Sequence, residues 1–245
     1  MTHKPGSIPE LQKLLPQSQR VVDVSLEAIA GFIEHVPEDM TATVQAGMCL
    51  AVFQKRLAAS GQWLPVDPPN PESVTISEML AKNLSGPRRF GCGAVRDWLI
   101  GLAVVMPDGR LIRNGGKVVK NVAGFDLCRL FVGARSTLGI IVEAAFKLLP
   151  LPEAEAYLAR PCESLGAAEE VLEKIWDSDL QPTVLDLHRI KIESLTLVVG
   201  FAGPSADVRA QSSEVYGLGF VGETSLDYDA TFRQSILGFS SVTPG

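Results

Sequence analysis

Residues 98–116, WLIGLAVVMPDGRLIRNGG, constrain the fold more than any other stretch. An apolar run meets a Pro-Asp-Gly turn at 107–109 and returns as RLIR, the pattern of an antiparallel hairpin. Farther on, TLGIIVEAAFKLLP (137–150) predicts a long strand whose β-branched start and apolar length suit burial on both faces. Between hairpin and strand runs a glycine-rich, basic segment, from Gly115 to Gly139. Glycines there let a ligand approach the backbone, because no Cβ holds it away.

Charge concentrates in the same region. From Lys82 to Arg135 there are ten Lys or Arg (82, 88, 89, 96, 110, 113, 117, 120, 129, 135) against Asp97, Asp108 and Asp126, a net +7. The whole chain carries −6, which leaves −13 for the remainder. A local cationic field in an acidic protein points to one anionic ligand held in place. Nucleic-acid binding would ask instead for a basic domain with stacking aromatics. The other reading is a solvated face that docks an acidic partner.

Upstream, VVDVS (21–25) and TATVQAG (41–47) alternate as strands. CLAVFQKRLAASG places Leu50, Phe53 and Leu57 at helical spacing and stops at Gly61. Pro65, Pro68, Pro69 and Pro71 exclude helix and central strand from the next loop. Thr75 followed by Glu78 reads as a capping box opening a helix at Ile76 that closes by Gly86. FDLCRLFVG reads as a short helix closed by Gly133.

LPLPE (149–153) marks a boundary, and beyond it the order is strand, helix, strand, strand, helix, strand, the ferredoxin-like pattern. The expected organisation is a tail at 1–20, a first domain at 21–150, a ferredoxin-like cap at 151–236 and a tail at 237–245. The N-terminus, with Pro5, Pro9 and Pro16, reads as neither signal peptide nor anchor. The longest apolar stretch is about ten residues, short of the roughly 18 that span a bilayer, and a cytoplasmic protein is expected. Cys49, Cys92, Cys128 and Cys162 form no C-x-x-C pair, and His3, His35 and His188 are isolated, so no metal site is expected.

The order of pieces, above all LSGPRR, GAVRDWLIG, KNVAGFDLCRLFVGA and TLGIIVEA, resembles the FAD-binding domain of the vanillyl-alcohol oxidase and p-cresol methylhydroxylase (PCMH) type. Within that family it is similar to the small flavin-domain subunits of bacterial glycolate dehydrogenase (glycolate oxidase) complexes. The resemblance covers roughly residues 21–236. It implies an α+β fold: a two-subdomain PCMH-type FAD-binding domain, its N-terminal part shortened, followed by the ferredoxin-like cap. It also implies FAD as cofactor, a larger flavin subunit and an iron–sulfur subunit as partners, and a small 2-hydroxy acid as substrate.

By position, the resemblance puts Ala81, Asn83, Ser85 and Gly86 near the pyrophosphate and ribityl chain, with Gly93, Arg96 and Asp97 shaping the following turn. Lys120, Asn121, Gly124 and Asp126 would lie on the flavin side. Thr137, Gly139, Ile140 and Ile141 would line the adenosine end.

Three departures from the family pattern stand out. No glycine occurs between Gly6 and Gly31, where relatives carry a glycine-rich turn around the pyrophosphate. Ser77 and Glu78 replace paired glycines, and a carboxylate there repels a pyrophosphate. The last turn reads GARSTLG, with Ser136 where a glycine is usual and Arg135 beside it. The chain also ends soon after the cap, so chemistry completed by a partner is expected, and no general base is named. The leading expectation is an FAD-linked subunit of a 2-hydroxy-acid dehydrogenase or oxidase. Its alternatives are a member that kept the fold but lost flavin and serves assembly, and an enzyme that uses another anionic ligand.

Overall fold

A computed structural model of the chain describes residues 2–17, 24–116, 127–191, 194–222 and 224. Two compact units result, residues 1–86 with 94–151 and residues 87–93 with 152–245.

In chain order the first unit contains α1 (Ile8–Leu14), β1 (Phe32–Val36), β2 (Thr41–Gln45), α2 (Leu50–Ala58), β3 (Gln62–Trp63) and α3 (Ile76–Lys82). The short α4 (Arg89–Cys92) belongs to the second unit. The first resumes with α5 (Val95–Trp98), β4 (Leu99–Val105), β5 (Leu111–Gly115), α6 (Leu127–Phe131), β6 (Ile140–Lys147) and β7 (Leu149–Pro150). Five strands form an antiparallel sheet in the order β1-β2-β6-β4-β5. The expected hairpin is β4 and β5, paired from Gly101 with Gly115 to Val105 with Leu111.

Alternation sends Leu102 and Val104 of β4 to one face, where they pack with Phe53 and Leu57 of α2 and Met79 and Leu80 of α3. Ala103 and Val105 face the other way, against Leu11, Leu15, Leu26 and Ile29. Strand β6 serves both faces through a bulge. Ala103 pairs with Glu143 but Val104 pairs with Ile141, which leaves Val142 as the extra residue. The phase therefore flips: Ile140 and Val142 sit on the α1 side, while Ile141, Ala144 and Phe146 sit on the α2–α3 side. Burial on both faces, expected for the whole strand, holds for its first three residues, after which buried and half-buried positions alternate.

Three differences from the sequence reading concern this unit. Residues 8–14, expected as tail, form α1, which Ser7 caps and which puts Leu11 fully out of water. Phe32–Val36 is an edge strand that no sequence pattern announced. The helix expected from Ile76 to Gly86 ends at Lys82, where Asn83 turns into the left-handed region at φ 50°. The strand expected at 21–25 lies mostly outside the described residues; Val24 forms an isolated bridge with His3.

The second unit has β8 (Ala154–Cys162), α7 (Leu165–Trp176), β9 (Val184–Lys191), β10 (Ser194–Gly203) and α8 (Ser205–Gly217). Strand order is β8-β10-β9, all antiparallel. Val221, Gly222 and Thr224 join the free edge of β8 through backbone hydrogen bonds. Placing the third strand between the first two and the last segment beside the first gives the ferredoxin-like topology. Ala168, Val171 and Ile175 of α7 and Val208 and Val215 of α8 pack on one sheet face. On the other face the Gly91 amide of α4 donates to the Thr183 carbonyl at 3.1 Å, and a Cβ on Gly200 would stand 2.6 Å from the Tyr157 ring.

Candidate functional site

The candidate site is built where the C-terminal end of α3 meets the turn after α6. Thr75 starts α3 by accepting from the Glu78 amide, and Lys82 ends it before the left-handed Asn83. The last carbonyls of the helix also accept from the distant turn, Leu80 in addition to its bond from the Asn83 amide. The Gly133 amide donates to Leu80 at 2.9 Å and the Arg135 amide to Ala81 at 2.8 Å. That turn is sharply wound: Gly133, Arg135 and Ser136 have φ of 82°, 50° and 59°. Two successive L residues in the left-handed region keep the backbone shape of a glycine turn without its glycines. Thr137 closes the loop, its amide and hydroxyl both donating to the Ala134 carbonyl.

Of the expected residues, Ala81, Asn83, Thr137, Gly139, Ile140 and Ile141 belong to this assembly or to the start of β6 that follows it. The side chains of Ile140 and Ile141 are buried in the two cores, so only their main chain can face a ligand. A Cβ on Gly139 would stand 2.7 Å from Val104, which makes that glycine a packing requirement as well. Ser85 and Gly86 follow at the α3 exit, where a Cβ on Gly86 would overlap the Asp67 carbonyl. Sequence reasoning missed Asp67; the signal was the rigid proline loop around it. Arg96 and Asp97 lie on α5, which contacts α3, and the Asp97 carboxylate accepts from the Ala94 amide at 2.8 Å as a helix cap. Gly93 ends α4 in the second unit, at φ 81°. Lys120, Asn121, Gly124 and Asp126 lie outside the described residues.

The opposite end of α3 is closed to an anion. Every amide of its first turn already has an acceptor: Ile76 gives to Met48, Ser77 to Ala46 at 2.6 Å, Glu78 to Thr75 Oγ1 and Met79 to the Thr75 carbonyl. The Ser77 hydroxyl points inward and donates to the Ile141 carbonyl at 3.1 Å. Glu78 lies 2.6 Å from Lys82 Nζ, which neutralises it locally. By contrast, Asn83 Oδ1 at the other end is buried with no hydrogen-bond partner among the described residues, an acceptor that a ligand amine or hydroxyl would satisfy. The residues present thus suit a nucleotide at Asn83 and the 133–139 turn, and do not suit a pyrophosphate at the first turn of α3.

A separate hollow of about 350 Å³ opens on the sheet, floored by Gly101, Ala103 and Ala145, with Arg113 and Glu143 paired at 3.1 Å beside it. Among the described residues no three His, Cys, Asp or Glu side chains gather to hold a metal, and no helix is long and apolar enough to cross a membrane.

A family described as FAD binding domain matches residues 11–115. Glycolate oxidase subunit GlcD of Bacillus subtilis is 40% identical over 149 residues, 61% of this chain and 32% of that protein. Glycolate oxidase subunit GlcE of Escherichia coli is 39% identical over 153 residues, 62% of this chain and 43% of that protein. D-2-hydroxyglutarate dehydrogenase of Xanthomonas citri is 36% identical over 140 residues, 56% of this chain and 30% of that protein. The match thus spans 30–43% of the length of these relatives. A solved structure of alkyldihydroxyacetonephosphate synthase superposes with a TM-score of 0.74 over 94% of this chain and 54% of its own, at 20% identity, a likeness of fold.

Proposed function

Because the chain carries an FAD-binding domain of the PCMH type, with FAD as its cofactor, we propose that it is a flavin-domain subunit of a 2-hydroxy-acid dehydrogenase or oxidase. The observation that carries this reading is the 40% and 39% identity to two glycolate oxidase subunits, over about 150 residues in each case. Glycolate is the substrate it favours, other small 2-hydroxy acids being the broader class. A larger flavin subunit and an iron–sulfur subunit are the partners, and the cytoplasm is the location.

In this reading residues 21–150 hold the cofactor and 151–236 form the cap. The main chain of Thr137, Gly139, Ile140 and Ile141 takes the adenosine end. Ala81, Asn83, Ser85 and Gly86 face the pyrophosphate and ribityl chain, where Asn83 Oδ1 gains the donor it lacks. Gly93, Arg96 and Asp97 shape the adjoining turn, and Lys120, Asn121, Gly124 and Asp126 lie on the flavin side. Bound FAD supplies the acceptor for the substrate hydride, and the chain's own residues position and desolvate it.

The test is FAD titration of the purified full chain, following flavin fluorescence and thermal stability. Binding that raises the melting temperature supports the reading, since a ligand selective for the folded state stabilises it by mass action. A colourless protein that takes no FAD at high micromolar concentration overturns it and leaves a role in assembly.

A further inference from the structure

Along helix α7, Leu165 and Trp176 are exposed among the described residues, and Leu172 between them packs only partly against the cap core. The core contacts of the helix are Ala168, Val171 and Ile175. Beside them runs a second stripe, Leu165, Leu172 and Trp176, whose side chains fall within about 40° of one another around the helix at 3.6 residues per turn. Leu165 is 61% exposed and Trp176 70%, and Trp176 meets Phe90, itself 46% exposed, edge to face at 6.2 Å. An exposed tryptophan beside an exposed phenylalanine and leucine is an apolar patch of the kind that binding covers.

The outer flank of that stripe is acidic. Glu169, Glu173 and Asp177 succeed one another at i, i+4 and i+8, all exposed, and none has an ion-pair partner among the described residues. Like charges at this spacing repel and weaken a helix. From Glu163 to Asp179 six carboxylates face one cation, Lys174. With Leu172 and Trp176 the three carboxylates line an open groove of about 570 Å³. A second copy meeting this face by two-fold symmetry would set acid against acid, which disfavours a homodimer here.

We propose that this face of α7 docks a helix of a partner subunit that carries Lys or Arg along the edge of an apolar stripe, the tryptophan as anchor and the carboxylates setting register. The proposal rests on the subunit reading above.

The experiment co-expresses the full chain with the larger flavin subunit encoded in the same genome and measures their affinity at low and high salt. Variants are Trp176→Ala, the double variant Glu169→Lys with Glu173→Lys, and Glu214→Lys on α8 as a charge control. Melting temperatures verify that each folds, and all substituted residues are exposed. The expected result is that affinity weakens about tenfold or more in both α7 variants, falls with salt in the wild type, and is unchanged in Glu214→Lys. Wild-type affinity in both α7 variants overturns the docking face and leaves the subunit reading intact. Absence of any complex overturns both, while FAD titration still reports on the cofactor separately. Wild-type self-association that Trp176→Ala abolishes also overturns it, by naming a second copy as the occupant.

Discussion

Lys82 Nζ stands 2.6 Å from Glu78 Oε1, one turn away along α3. Both side chains are about half exposed, so the pair itself adds only about 0.3–0.5 kcal/mol to the helix. Its larger consequence concerns any anion nearby, because Lys82 masks a carboxylate standing where the family pattern has glycine. Glu78→Gln removes the negative charge and keeps helix propensity; with the phosphates at the far end of α3 and the charge already paired, FAD affinity should rise only about threefold, equivalent to about 0.65 kcal/mol. Lys82→Met unmasks Glu78 and should act in the opposite direction. Fluorescence titration at low salt measures both. Unchanged affinity in both variants would place the pyrophosphate away from α3.

Tyr157 supplies a pH signature of the cap. Its hydroxyl accepts from Arg88 at 2.8 Å, and Arg88 also reaches Glu155 at 2.6 Å. Burial dominates and pushes the phenol up to about 12; Glu155 adds to this and Arg88 opposes it. The folded value lies above the unfolded one, so the stabilisation is complete below about pH 10 and is lost as pH rises towards 12. An ultraviolet titration should show a phenol ionising near pH 12, and Tyr157→Phe should remove that step and flatten the alkaline decline in stability. Absence of that step in the wild type would contradict the buried phenol beside Arg88.

Leu11 tests whether the N-terminal residues are structural. It is fully buried on the α1 side of the sheet with Leu15, Val105 and Val142. Leu11→Ala should cost about 3 kcal/mol, the transfer term plus the cavity left between helix and sheet. Urea denaturation monitored by tryptophan fluorescence checks it. A loss of a few tenths would mean that α1 does not pack there in solution.

What the sequence hid follows from physical causes. The cap was readable because its strands and helices each repeat their pattern cleanly, Ala168, Val171 and Ile175 being one example. Helix α1 was not, because its seven residues lie in a proline-containing stretch and are too few to show a clear period. Pro9 lies in the first turn, where the missing amide costs nothing, and Pro16 comes after the helix ends. FIEHV escaped notice as an edge strand with scarcely any alternation in burial. At the candidate site, the separate turns at Asn83 and 133–139 were legible as short motifs. Their union was not, since the bonds from Gly133 to Leu80 and from Arg135 to Ala81 cross about fifty residues and no local pattern encodes them. Residues 87–93 read as part of the cofactor segment, yet Gly91 bonds Thr183 of the second unit.

Ser136 separates backbone shape from residue identity. At φ 59° its Cβ crowds the following carbonyl, a strain that glycine avoids. Ser136→Gly should therefore stabilise the first unit by about 0.4–1 kcal/mol, the relief of strain exceeding the entropy that glycine adds to the unfolded chain. Because the turn already holds the glycine-like conformation, FAD affinity should change less than about twofold. Denaturation and FAD titration on the same variant report the two effects independently. Destabilisation by the glycine would show that Ser136 does not occupy the left-handed region, whereas a large gain in affinity at unchanged stability would show that its side chain, not the backbone, obstructs the adenosine end.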